Sequence, residues 1–169
     1  YDNCIPNINV DDGDLMRWTD QFLKLLHKRM CINDKTILNF DDVDIEILWP
    51  TGSFESKNHN HYSVVLKITT KQKSILVMGD GLASTEKWLI ENKSDKLKNI
   101  DVLVVGHHGS NSASTKKFLE IVNPKIAIIS ANRDNIRGYP SYKTINRIES
   151  LGINVWITGI HGDFGVKLN

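Results

Sequence analysis

Three stretches of this chain place residues able to do chemistry directly after apolar runs. The first is Ile75-Leu76-Val77-Met78-Gly79-Asp80. A carboxylate just beyond an apolar strand and a glycine stands at a sheet edge, where it can ligate a cation or act as a base. A helix is expected next, so Asp80 can equally serve as its N-cap. The second stretch is Leu103-Val104-Val105-Gly106-His107-His108-Gly109-Ser110. Flanking glycines let the backbone turn sharply and a ligand approach closely. Imidazole suits zinc, manganese or iron, and works as a general acid or base. A lone histidine is usually a satisfied polar residue, but two in a Gly-His-His-Gly-Ser loop at a strand end read as functional. The third stretch, Ile128-Ile129-Ser130-Ala131-Asn132 followed by Gly138-Tyr139-Pro140, is a polar loop that either borders a site or simply connects two elements.

The remaining reactive residues carry weaker signals. His59 and His61 form a His-x-His pair, but no acid or further histidine follows closely, and a solvated loop is expected. His161, in Gly159-Ile160-His161-Gly162-Asp163, reads as an exposed hairpin turn, and His27 as a surface residue at the end of a helix. Ser110 neighbours a histidine but lacks the Gly-x-Ser-x-Gly elbow of a nucleophile. Cys4 and Cys31, 27 residues apart, make neither a disulfide framework nor a paired-cysteine metal site.

The elements that must position these residues follow from periodicity. Leu15, Trp18, Phe22, Leu25, Leu26 and Met30 recur at spacings of three and four and predict a helix over Asp14–Met30. Asp12 or Asp14 can cap it, and Lys28 and Arg29 suit its last turn. Lys35–Phe40 and Val43–Leu48 read as strands around an Asp41-Asp42 turn, and a polar loop spans Ser53–His61. Strands are expected over Tyr62–Thr69, Ser74–Met78, Asp101–Val105, Lys125–Ser130, Asn154–Thr158 and Phe164–Leu168, and helices over Leu82–Asn92, Ser114–Val122 and Ser141–Leu151. Buried strands alternating with helices predict an α/β layered domain, with its site just beyond the carboxyl ends of the strands.

A length of 169 residues fits one domain, and 40% hydrophobic with 24% charged residues is ordinary globular composition. That excludes disorder as the main state. No apolar run approaches the length of a membrane span, and the start shows no signal-peptide pattern. Net charge is +1, yet residues 1–50 hold ten acids against five bases and residues 51–169 ten acids against sixteen bases. A basic second part attracts polyanions, although a face of solvated lysines gives the same balance. The opening Tyr1-Asp2-Asn3-Cys4-Ile5-Pro6 reads as mid-loop, so an excised part of a longer domain is expected.

Asn60-His61-Tyr62-Ser63-Val64-Val65-Leu66, the Met-Gly-Asp80 strand end, Asp101-Val102-Leu103-Val104-Val105-Gly106-His107-His108-Gly109-Ser110 and Pro124-Lys125-Ile126-Ala127-Ile128-Ile129-Ser130 closely resemble the second half of the metallo-β-lactamase-like domain of ComEC-type competence proteins. These are bacterial DNA-uptake channel proteins, and stand-alone hydrolases share the domain. Order and spacing agree over roughly residues 40–169. The resemblance implies an αββα sandwich with a binuclear metal site, commonly zinc, at the edge between its sheets. Asp80 matches the aspartate that bridges the metals, and His107 or His108 matches the later ligand histidine. The other histidine then faces the scissile phosphate or the leaving group. The sequence does not divide those two roles; His107, directly after Gly106, is the preferred ligand.

Two departures stand beside this resemblance. The His-x-His-x-Asp-His signature of the first half of the domain is absent, and His59-Asn60-His61 does not replace it. The chain therefore reads as a single domain over residues 1–169 that lacks its N-terminal half. Tyr139 stands where ComEC-type sequences usually carry the histidine of Gly-His-Pro; tyrosine is a poor zinc ligand at neutral pH, so it contacts substrate or other site residues, or marks an altered site. A catalytic zinc needs three protein ligands plus water, so Asp80, His107 and His108 cannot complete two sites alone. The expected cofactors are two divalent metal ions, zinc or alternatively manganese, completed by ligands outside this chain.

The resemblance thus implies a metal-dependent hydrolase, a phosphodiesterase or nuclease related to DNA uptake. Asp80, His107 and His108 are its expected catalytic and metal-binding residues. Ser110, Asn132, Arg137 and Tyr139 are the expected substrate contacts, with Arg133 and Arg137 as candidates for phosphate. DNA or another phosphodiester is the expected partner, bound in a salt-dependent manner. Two alternatives remain: a degenerate, non-catalytic domain binding nucleic acid or a protein, and a hydrolase of a small ester or lactam. A stand-alone relative implies a cytoplasmic location, to which the free cysteines lean; a ComEC-type channel implies an extracytoplasmic one.

Overall fold

The computed structural model describes residues 33–51, 58–134 and 136–166. The helix expected over Asp14–Met30 lies outside them. The described residues build one seven-stranded mixed sheet in which every strand neighbours the next in sequence. Its first part is an antiparallel meander of β1 (Ile37–Phe40), β2 (Val43–Trp49), β3 (Val65–Thr70) and β4 (Ser74–Val77). The turn at Asp41-Asp42 sits where expected, with Phe40 paired to Val43. Three βαβ units then follow. They add β5 (Val102–Val104), β6 (Ile126–Ile129) and β7 (Asn154–Ile157), each parallel to its predecessor. The connecting helices are α1 (Ala83–Asn92), α2 (Lys116–Val122) and α3 (Tyr142–Glu149). This is the α/β class expected from the alternating pattern.

The parallel strands are short and apolar and bury one face fully, while Ile75, Val77, Val104, Ile126 and Ile128 on the alternate positions are only half-buried. Leu76, Leu103, Ala127 and Ile129 have no exposed surface, and Leu89, Phe118, Leu119 and Ile148 from the three helices pack into the same core. Each such side chain contributes about 1.5–3 kcal/mol on burial. Local signals set the helix ends. Thr115 caps α2 by accepting the Phe118 N–H, and Asn123, at φ 42°, closes it with an N–H to the Leu119 carbonyl.

Two expectations need correction. Phe164–Val166 form no strand, and residues 167–169 lie outside the description. After β7 the chain instead makes a single helical turn, α4 (Thr158–His161). The Thr158 hydroxyl accepts the Ala131 N–H, the Gly159 N–H donates to the Ala131 carbonyl, and Phe164 folds back edge-on against Trp156. Held by those contacts, the segment does not pair with β7, the last strand of the sheet. For the same reason His161 is in no hairpin: its Nδ1 accepts the Ile157 N–H at the end of that turn. The second correction concerns Asp80. The N-cap of α1 is Leu82, with no side-chain cap, so Asp80 does not cap the helix.

Candidate metal centre

The site forms where the carboxyl ends of β4, β5 and β6 meet, the usual place for ligands in sheets of this type. Beyond β4 the chain turns at Gly79, at φ +52°, with Ser63 Oγ and the Val64 carbonyl where a β-carbon would sit. Only glycine fits there. Ser63 Oγ accepts the Asp80 N–H at 2.7 Å, and the Gly79 carbonyl accepts the His107 N–H at 2.9 Å. Backbone contacts thus lock the Asp80 turn to the histidine loop. The Asp80 side chain itself is 44% exposed, and its one polar neighbour among the described residues is His108 Nε2, 3.8 Å from Oδ1.

His107 and His108 both lie in the left-handed region, at φ 50° and 53°, inside the turn Gly106–Gly109. That backbone is uncommon for residues other than glycine. It separates the two rings, with centroids 6.5 Å apart. His108 Nδ1 lies 2.7 Å from the Ser130 carbonyl oxygen. A carbonyl only accepts, so Nδ1 carries the hydrogen, and in the neutral ring Nε2 keeps its lone pair toward Asp80. His107 turns the other way, its ring 5.4 Å from that of Tyr139. Its Nδ1 is buried and has no hydrogen-bond partner among the described residues.

These donors fit a divalent cation in kind but not in number. A carboxylate and an oriented imidazole are suitable first ligands. Among the described residues, however, no three His, Cys, Asp or Glu side chains converge. A complete centre needs donors beyond them.

The expected substrate contacts separate in the structure. Asn132, Arg137 and Tyr139 line an open cleft of about 620 Å³ together with His108, Ser130 and Thr158. Ser110 does not face it. Ser110 is 7% exposed, and its hydroxyl pairs with Ser112 Oγ at 2.9 Å; its position directly after the histidine loop puts it at the root of that loop. Arg133 is exposed on the cleft loop without lining the cleft. His61, expected in a solvated loop, lies in a short 3₁₀ turn, His59–Tyr62, with Nε2 2.9 Å from Ser84 Oγ. Sequence reasoning missed the orienting carbonyl of Ser130 and the contribution of Thr158 and Gly159 to the cleft wall. The first is a backbone group with no residue signature. The second depended on α4.

The sequence model of the metallo-beta-lactamase superfamily matches residues 12–131. The chain is 35% identical over 125 residues to the competence protein ComA of Neisseria gonorrhoeae, covering 73% of this chain and 18% of that protein. It is 30% identical over 129 residues to recombination protein 2 of Haemophilus influenzae, covering 76% of this chain and 16% of the relative. It is 31% identical over 126 residues to ComE operon protein 3 of Bacillus subtilis, covering 75% and 16% respectively. The chain thus spans less than a fifth of the length of these relatives. With its Met-Gly-Asp and Gly-His-His-Gly-Ser strand ends meeting at one sheet edge, the chain belongs to the metallo-beta-lactamase superfamily, in the form carried by ComEC-type competence proteins.

Proposed function

We propose that this chain forms part of a metal-dependent phosphodiesterase acting on DNA during its uptake. One observation carries the reading: His108 Nε2, oriented by the Ser130 carbonyl, faces the Asp80 carboxylate at 3.8 Å. That distance leaves the two groups too far apart for a good hydrogen bond and suitably placed to share a cation. The names of the relatives, competence and recombination proteins, support DNA as the substrate and uptake as the setting.

Asp80, with two oxygens, would hold both of two divalent ions, zinc or manganese, and His108 would ligate one of them. When bound, such ions lower the pKa of water and neutralise charge developing on phosphorus. The geometry favours His108 over His107 as the ligand, the reverse of the preference drawn from sequence. His107, against Tyr139, then lies toward the substrate. In the cleft, the Asn132 amide, the Arg137 guanidinium and the Tyr139 hydroxyl supply donors for phosphate oxygens. The other ligands would come from the upstream His-x-His-x-Asp-His of the family.

Metal content measured by elemental mass spectrometry, on this chain and on a form extended upstream, tests the proposal. Bound divalent metal in the extended form, lost with Asp80→Ala, supports it. An extended form that purifies without metal and takes none up sinks it. That outcome favours the second reading, a non-catalytic domain binding nucleic acid, to which Tyr139 in place of the usual histidine also points.

A further inference from the structure

We infer that Glu86 is a positioning residue for His107 and His108, acting through a buried polar clamp on residues 109–115. Glu86 lies on α1 and is 1% exposed. Its Oε1 accepts the Ser114 N–H, and its Oε2 accepts the Thr115 N–H at 2.8 Å. The same stretch is gripped from α3. Thr144, fully buried, donates its hydroxyl to the Ser110 carbonyl at 3.0 Å, and Arg147 Nη2 donates to the Ala113 carbonyl at 3.1 Å and to Thr144 Oγ1 at 3.2 Å. The Ser112 carbonyl accepts the Ala83 N–H, and the Gly109 carbonyl accepts the Ser141 N–H.

The clamp reaches the histidines by one further bond, from the Ser110 N–H to the His107 carbonyl at 2.9 Å. Its purpose follows from backbone strain. His107, His108 and Ser114 all have φ between 50° and 55°. Residues other than glycine persist in that region only where the surroundings over-determine them. Here the surroundings are the buried side chains of α1 and α3 together with the backbone bonds with Gly79, Ala83 and Ser141. A buried carboxylate is costly unless its oxygens are hydrogen-bonded, and both oxygens of Glu86 go to this loop. Without them the left-handed pair relaxes, and His108 leaves the Ser130 carbonyl. The inference rests on the reading of His108 as a site residue, but its test needs no metal.

The test is the tautomer of His108, read from ring nitrogen shifts in long-range proton–nitrogen NMR spectra of the full chain. The wild type is expected in the Nδ1–H form. Glu86→Gln, and independently Thr144→Val, should shift His108 to a mixture in which Nε2–H predominates, as in a free neutral histidine side chain. Asp101→Asn, at the opposite end of the sheet, should leave the spectrum unchanged and controls for loss of stability alone. If Glu86→Gln does not fold, Thr144→Val decides. Folded variants that keep wild-type His108 shifts overturn the inference. A shifted tautomer in a chain whose extended form binds no metal keeps the clamp and removes the phosphodiesterase.

Discussion

The two ends of the parallel strands each carry an aspartate, and the two are treated in opposite ways. At the amino end Asp101 is satisfied by its neighbours. Its Oδ2 accepts the Ser74 N–H at 3.0 Å, its Oδ1 takes Lys125 Nζ at 2.6 Å, and its backbone carbonyl accepts the Lys125 N–H. At the carboxyl end the Asp80 side chain has, among the described residues, only a histidine 3.8 Å away, and His107 beside that histidine leaves a buried nitrogen without a partner among them. The lesson is that a structural acid is recognised by completed hydrogen bonds, and a candidate ligand by carboxylate oxygens the fold leaves unused. The segment after β5 holds three left-handed residues other than glycine, His107, His108 and Ser114, and a supporting layer of buried polar groups on α1 and α3 grips it.

The largest expected effect lies in that supporting layer. Glu86→Ala leaves the Ser114 and Thr115 N–H groups unpaired and Arg147 without its counter-charge. It should cost about 3–5 kcal/mol in urea unfolding. Gly109→Ala comes next. Gly109 has φ +76°, and an added β-carbon would lie 2.8 Å from Pro140 Cβ, so a loss of about 1–3 kcal/mol is expected from the same measurement.

Asp101→Asn should be milder, because Lys125 is 78% exposed and solvent screens the pair. A loss of about 0.5–1 kcal/mol at neutral pH is expected. The pH dependence sharpens the comparison. The hydrogen bonds from Lys125 and Ser74 hold the Asp101 carboxyl below its ordinary range. Its contribution is therefore present above the ordinary aspartate value and lost as pH falls through the lowered one, and Asp101→Asn should flatten the acid side of the stability curve. Glu86 titrates with the opposite sign. Burial pushes its carboxyl above the ordinary glutamate range, despite the opposing Thr115 and Ser114 hydrogen bonds and the Arg147 charge. The folded state then binds that proton more tightly, so stability falls as pH rises from the ordinary value through the raised one. Glu86→Gln should remove this slope.

The smallest stability effect belongs to the most important site residue. The Asp80 side chain makes no close bond among the described residues, so Asp80→Ala should change unfolding stability by no more than about 0.5 kcal/mol. A larger loss would place Asp80 with Asp101 among the structural acids.

The strands were legible because each wrote its burial into its composition. Val43, Ile45 and Ile47 alternate with Asp44 and Glu46 in a meander strand. The unbroken apolar runs Val102–Val104 and Ile126–Ile129 mark the parallel strands, although their alternate residues Val104, Ile126 and Ile128 are only half-buried. The histidine pair was legible because glycines bracketed it. What could not be read were groups defined by tertiary approach. The Ser130 carbonyl that orients His108 has no side-chain signature. The clamp joins Glu86 to residues 28 and 29 positions away. Phe164 looked like the start of a strand because its apolar ring packs on Trp156, and periodicity does not distinguish a ring buried by stacking from one buried by pairing.

The proposed cation site stands or falls on Asp80 and His108. Elemental mass spectrometry of the upstream-extended chain, with a urea unfolding curve on each sample, tests it most directly. Divalent metal should be present in the wild type and reduced by more than half in Asp80→Ala and His108→Ala, with the wild-type and Asp80→Ala unfolding curves of metal-free samples superimposing. Metal content unchanged by both substitutions, or no metal in the wild type, would rule out a cation held by Asp80 and His108.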